Sequence, residues 1–201
     1  VTSPCDGCIG GVVLAAGRSV RLGTPKQLLV LEGEALVRRA ARAAVEAGLW
    51  PVVVVVGDHA DEVRGALAGL PVATVANPQY ETGMASSLRR GLARLTECAP
   101  DAAGVVVLAC DQPRVSAEHV EALVEAQRQA GKLVAASSYS GALGVPALFA
   151  AAVFPELLAL EGDRGARGVV ERDPARVCAV PLEGGELDVD TPEDWDRARG
   201  R

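Results

Sequence analysis

Hydrophobic and polar positions follow two different rhythms along this chain. Four short runs are apolar almost throughout: GGVVLAA (10–16), PVVVVVG (51–57), GVVVLAC (104–110) and KLVAASS (132–138). Runs this short and this uniform predict strands buried on both faces of a sheet. The stretches between them repeat at helical spacing. In ALVRRAARAAVEAG (35–48), Leu36, Ala40, Ala43, Ala44 and Ala47 fall near one face and the arginines on another. ASSLRRGLARL (85–95) aligns Leu88, Leu92 and Leu95. SAEHVEALVEAQRQAG (116–131) opens on a Ser N-cap and stops at a glycine, and TPEDWDRAR (191–199) opens on a Thr cap followed by Pro and acids.

Strands alternating with helices predict an α/β fold: a Rossmann-like, mostly parallel central sheet with helices on both faces. No repeat, low-complexity linker or composition break divides the chain, so one domain is expected over 9–201 after a flexible N-terminal tail, 1–8. In open sheets of this kind, ligands bind beyond the carboxyl ends of the strands. The residues after each apolar run are therefore the ones to inspect.

Composition narrows the partners. The formal net charge is −6 and only 3% of residues are aromatic, which argues against a polynucleotide or an anionic membrane as the partner. No run approaches the ~18 apolar residues of a membrane span. The opening VTSPCDGCIGG has neither the basic nor the apolar region of a signal peptide, so a cytoplasmic protein is expected. The five cysteines form no dense disulfide pattern. Cys5 and Cys8 make one C-x-x-C with no second pair to complete a zinc site, and are read as part of a reduced tail.

Against that acidic background, one loop stands out. Between Asp6 and Glu32 there is no Asp or Glu, yet Arg18, Arg21 and Lys26 follow the first apolar run. Backbone amides of a Gly-containing turn with nearby cations can gather phosphate oxygens. The loop is neither a Walker A sequence nor G-x-G-x-x-G. A solvated basic loop is the alternative, and Lys26 is expected to be an exposed loop cation.

Asp111, in the ACDQP that ends the third run, suits Mg²⁺ held through one or two carboxylates and substrate phosphates; the alternative is an Asp that caps a turn. Asp188 and Asp190 precede the last helix. Only one of them is expected to face a shared metal, the other being a turn or surface charge. In NPQYETGMASSLRRGL (77–92), Gly83 is expected to let the chain approach a ligand, with Ser86 and Ser87 in the first turn of a helix. GALGVPALF (141–149) reads as a Gly/Pro loop and LALEGDRGARGVV (158–170) as a Gly-rich one; both are substrate loops or plain connections.

Taken in order, LAAGRSVRLGTPKQLL, NPQYETGMASSLRRGL, ACDQP, GVPALF, GDRGAR and DVDTPEDW resemble the MobA-like nucleotidyltransferases, and among them most closely the molybdenum cofactor cytidylyltransferases. The resemblance runs from about Gly10 to Ala198. It implies transfer of a cytidylyl group from CTP to the terminal phosphate of molybdopterin, with release of pyrophosphate. Arg21, Lys26 and Asp111 would be catalytic. Leu14, Ala15, Ala16, Gly17, Asn77, Gly83 and Ser87, with Arg21 and Lys26, would contact the nucleotide. Asp111 and Asp190 would hold Mg²⁺. Gln112, Gly144, Pro146, Asp163, Arg164 and Arg167 would face the acceptor. Ala16, where guanylyltransferase relatives commonly have Gly, leans towards cytidine. A xanthine dehydrogenase-type molybdoenzyme is the implied recipient of the product. Val145 stands where the family often has His, Arg164 where it has Lys, and Leu22 where it has Met. The competing possibilities are another nucleoside triphosphate, another phosphorylated acceptor such as a sugar 1-phosphate, or a catalytically silent nucleotide-binding module.

Overall fold

A computed structural model describes residues 7–200; Cys5 lies outside them. The apolar runs become β1 (Ile9–Ala15), β4 (Val52–Val56), β6 (Gly104–Ala109) and β7 (Val134–Tyr139). A short hairpin, β2 (Val30–Leu31) and β3 (Glu34–Ala35), follows β1, and β5 (Ala73–Ala76) follows β4. β8 (Ala142–Ala150) and β9 (Val177–Pro181) complete the strands. Seven of them form one sheet in the order β5-β4-β1-β6-β8-β7-β9. Only β8 runs antiparallel to its neighbours.

β8 corrects the sequence reading, which placed a loop over 141–149. Gly144 and Pro146 are strand breakers, but the pairing accommodates them: the register with β7 jumps from Ala136↔Ala147 to Ser137↔Gly144, skipping Val145 and Pro146. The Pro146 carbonyl accepts a hydrogen bond from Ser137 Oγ at 2.6 Å, and the Ser137 hydroxyl in turn accepts from His119 Nε2 at 2.7 Å. A buried side-chain chain thus fills the gap in the ladder.

The helices are α1 (Leu36–Glu46), α2 (Ala60–Ala66), α3 (Met84–Cys98), α4 (Ala117–Ala130), α5 (Phe154–Leu158), α6 (Arg167–Arg172) and α7 (Pro192–Ala198). The expected caps are present. Ser116 accepts from the His119 amide, and Thr191 and Asp194 form a reciprocal capping box.

Period-two alternation divides the central strands between two cores. Val12, Val53, Val55, Val105 and Val107 meet Leu88, Leu92 and Leu95 of α3 and Leu157 of α5 on one face. Val13, Val52, Val54, Val56, Val106 and Leu108 meet Val37, Ala40 and Ala44 of α1 and Val120 and Leu123 of α4 on the other. Each such fully buried Val or Leu contributes about 1.5–3 kcal/mol. The two cores therefore clamp β1 and β6 rigidly at the centre. The chain winds from β1 outward to β5, returns to β6 beside β1, then builds the opposite edge. That reversal between β1 and β6 is where a crevice opens in such sheets. No helix among the described residues is long and apolar enough to cross a membrane.

Candidate active site

The loop after β1 is folded back on a buried glutamine. Gln27 is 1% exposed. Its Nε2 donates to the carbonyls of Ala15 (3.1 Å) and Gly17 (2.5 Å), and its Oε1 accepts from the Ser19 hydroxyl (3.3 Å). Ser19 Oγ accepts the Lys26 amide at 2.9 Å. This fixes Lys26 at the start of a 3₁₀ turn, Lys26–Leu28, with its side chain directed at the end of β6.

There, Lys26 Nζ lies 2.5 Å from Asp111 Oδ2 and 2.7 Å from Asp190 Oδ1. Arg21 donates to the other oxygen of Asp190 at 2.6 Å. The side chains of Lys26 and Asp111 are 16% and 17% exposed, so the expectation of an exposed loop cation is corrected: carboxylates from distant parts of the chain enclose Lys26. Arg18, nearer the mouth, pairs with Glu81 at 2.9 Å. All three cations of the carboxylate-free segment thus acquire carboxylate partners once the chain folds. Burial disfavours the Lys26 charge, but Asp111 and Asp190 outweigh it and hold the ammonium pKa above its ordinary value. Burial likewise opposes ionisation of Asp190, and Lys26 and Arg21 reverse this, keeping its carboxyl below the ordinary range.

Asp111 and Asp190 are locked together through the backbone. The Val189 amide donates to the Asp111 carbonyl at 2.9 Å, while the Val189 side chain is fully buried beside Leu31 and Leu36. With Val189 pointing inward, Asp188 and Asp190 both face the cleft. This corrects the expectation that only one would: residues two apart in an extended segment share a face. Asp188 lines the cleft with its side chain still open to solvent; partial desolvation, together with the negative charge of Asp111, pushes its pKa up to about 6. Cys110, behind Asp111, is buried next to that carboxylate, and burial with the neighbouring negative charge pushes its thiol up to about 12.

The cleft measures about 680 Å³, within the range of nucleotide-sized sites. Of the candidate site residues, Leu14, Ala16, Gly17, Arg21, Lys26, Gly83, Ser87, Asp111, Gln112, Gly144, Asp163, Arg167 and Asp190 line it. Four expected site residues do not. The Ala15 side chain is buried in the core of α1 and α4, and its carbonyl is taken by Gln27. Asn77 lies behind the wall, where Nδ2 donates to both Ser86 and Ser87 Oγ at 2.9 Å; it positions Ser87 and does not line the cleft. Pro146 is buried in β8, its carbonyl held by Ser137. Arg164 points outward from its loop, while Asp163 and Arg167 on either side reach the cleft.

Gly83 lines the cleft and is also held to glycine by loop packing. Its φ is +111°, and a Cβ there would lie 2.3 Å from the Gly162 carbonyl. Two loops, after β5 and before α6, abut at this point, and the Ala85 amide donates to Gly162 at 3.0 Å. At the end of β4, a Cβ on Gly57 would strike the Ala16 carbonyl at 2.6 Å and the Tyr80 ring at 2.9 Å, so Gly57 lets Tyr80 close against Ala16.

Gln27, Tyr80 and Tyr139 were missed in the sequence. Only Gln27 left a trace there: a polar residue directly ahead of the apolar LLVL. On the far wall, Gln112 Nε2 donates to the carbonyls of Val145 (3.1 Å) and Gly185 (3.4 Å), while its buried Oε1 accepts no hydrogen bond from the described residues.

A cationic loop facing two aspartates across the carboxyl ends of β1 and β6 is the arrangement of an enzyme that handles nucleoside triphosphates. The family model described as the MobA-like NTP transferase domain matches residues 11–177, and the chain belongs to that family of nucleotidyltransferases. Purine catabolism protein PucB of Bacillus subtilis (strain 168) is 35% identical over 199 residues, covering 94% of this chain and 95% of its own. Nicotine blue oxidoreductase of Paenarthrobacter nicotinovorans is 32% identical, covering 92% and 94%. The crystal structure of Rv0371c from Mycobacterium tuberculosis H37Rv superposes with a TM-score of 0.82 at 35% identity, over 98% of this chain and 100% of that one. A manganese complex of Rv0371C superposes at 0.76 and 34% identity, covering 96% and 98%.

Proposed function

We propose that this protein transfers the cytidylyl group of CTP to the terminal phosphate of molybdopterin, forming molybdopterin cytosine dinucleotide and pyrophosphate in the cytoplasm. The observation that carries this is the Lys26 ammonium seated between Asp111 and Asp190. Two carboxylates converge there on one cationic point, which is the donor set a hard divalent ion takes up with phosphate oxygens. Mg²⁺ bound by Asp111 and Asp190 would neutralise the phosphate oxygens around the reacting phosphorus.

The chain's own groups do the rest. Lys26 and Arg21 draw the triphosphate against the β1 loop and offset charge on the departing pyrophosphate. Ala16, Tyr80 and Ser87 border the part of the cleft that would take base and ribose, and Ala16 in LAAG is what favours cytidine. Arg167, Asp163 and Gln112 border the side where the acceptor enters. An acceptor phosphate oxygen attacks the α-phosphorus, and the bond from that phosphorus to the bridging oxygen of pyrophosphate breaks. A phosphate dianion is already nucleophilic, so no general base is required. His119, one of the chain's two histidines, is engaged with Ser137 in the interior.

The deciding experiment has two stages. Titration with CTP, GTP, ATP and UTP, each with and without Mg²⁺, should show selective heat for CTP with metal, lost in Asp111→Asn. Pyrophosphate release should then require molybdopterin. Release with a sugar 1-phosphate would move the acceptor, preference for GTP would move the base, triphosphate binding without pyrophosphate release would point to a silent nucleotide-binding module, and failure to bind any triphosphate would remove the donor assignment. The xanthine dehydrogenase-type enzyme is proposed as recipient on the family resemblance alone.

A further inference from the structure

Lys26 occupies the position between Asp111 and Asp190 that the divalent ion would need. The cluster of Asp111, Asp190, Lys26 and Arg21 holds two negative and two positive charges, all within 2.5–2.7 Å of a partner. Among the described residues, no group of three or more metal-ligating side chains gathers anywhere. A free divalent cation approaching this cluster meets Asp111 and Asp190 already paired and an ammonium in its place, with Asp188 the remaining carboxylate beside them. A metal–triphosphate complex is different. It carries net negative charge, so its phosphates attract Lys26 and Arg21 while its metal attracts the carboxylates they release. Every charge is then re-paired.

We infer that Lys26 is a placeholder cation: in the nucleotide-free enzyme it excludes the divalent ion, and metal enters only together with the nucleotide, by exchange of partners at Asp111 and Asp190. This rests on Asp111 and Asp190 being the metal ligands of the proposed transferase. Arg21, which is 70% exposed at its side chain and pairs with the outer oxygen of Asp190, is placed to move first.

Manganese tests this directly, because its free-ion electron paramagnetic resonance signal disappears on binding. Wild-type protein should bind Mn²⁺ alone at least tenfold more weakly than it does with α,β-methylene-CTP present. Lys26→Met should bind Mn²⁺ alone at least tenfold more tightly than wild type, and the double variant Lys26→Met/Asp111→Asn should lose that gain. Lys26→Gln serves the same purpose if the Met variant fails a circular dichroism check. Equal wild-type affinity for Mn²⁺ with and without the analogue would overturn the inference, and so would a Lys26 variant that binds the ion no better than wild type. The underlying assignment fails separately: Mn²⁺ bound with the analogue but unaffected by Asp111→Asn would place the metal elsewhere.

Discussion

Ser19 and Gln27, eight residues apart, hold each other within the loop after β1: the Ser19 hydroxyl donates to Gln27 Oε1 at 3.3 Å and receives the Lys26 amide at 2.9 Å. Gln27 therefore controls where Lys26 points without touching the cleft's charges itself. Gln27→Leu keeps the volume but leaves the Ala15 carbonyl without its donor. The expected loss is about 1–3 kcal/mol, a melting temperature several degrees lower. Turnover should fall more than tenfold, with kcat affected more than KM. Calorimetric melting and steady-state kinetics check this; unchanged kcat would mean the loop holds its shape by other means.

Arg18 and Glu81 join the β1 loop to the loop before α3 across the cleft mouth, with side chains 56% and 61% exposed. Such an exposed pair is worth about 0–1 kcal/mol. Glu81→Gln should accordingly leave the melting temperature unchanged. It frees Arg18 for phosphate, so KM for the nucleotide should drop about two- to threefold in low salt, and the gain should vanish in high salt as charges are screened. A raised KM would show that the pair orders the mouth for binding.

Asp188 gives a signed pH prediction. Its pKa rises from 3.8 to about 6 on folding, so the folded state holds this proton more tightly than the unfolded one. The Asp188 contribution to stability then declines as pH climbs from about 4 to about 6 and stays reduced above that. Asp188→Asn removes the charge and should melt at a higher temperature than wild type at pH 7, with the difference closing by about pH 4. A constant difference at every pH would show that ionisation of Asp188 is not its source.

Gly83 makes a backbone prediction. Gly83→Ala must place a methyl 2.3 Å from the Gly162 carbonyl at a φ of +111°. Forced separation of the two loops should cost about 1–3 kcal/mol and weaken nucleotide and acceptor binding together, since Ser87 and Asp163 lie on opposite sides of that contact. Calorimetric titration of CTP with Mg²⁺ measures the first effect directly; wild-type affinity would show that the loops tolerate a gap.

What the sequence allowed one to read was governed by range. β1, β4 and β6 were visible because a strand buried on both faces leaves an unbroken apolar signature. The caps at Ser116 and Thr191 were visible because capping is settled within three residues. β8 was hidden, because Gly144 and Pro146 are local breakers whose accommodation depends on Ser137 in a neighbouring strand. The chemistry divided in the same way. Lys26 stood in a carboxylate-free loop and Asp111 at a strand end, where residue type suggested a role, and the family resemblance singled out Asp190. Their mutual pairing spans 85 and 164 residues, and no local pattern encodes it. Asp188 was misassigned by a local rule wrongly applied, since its separation from Asp190 places the two on one face.

The backbone bond from Val189 to Asp111 also has a bearing on synthesis. A nascent chain that has emerged only as far as β9 already contains the loop, Gln27, Lys26 and Asp111, yet Lys26 has just one of its two carboxylates. The second arrives with residue 190 of 201, next to the cap of the last helix. The centre is therefore completed after the sheet: a chain that stops between β9 and residue 190 has all seven strands of the sheet and an unfinished charge cluster.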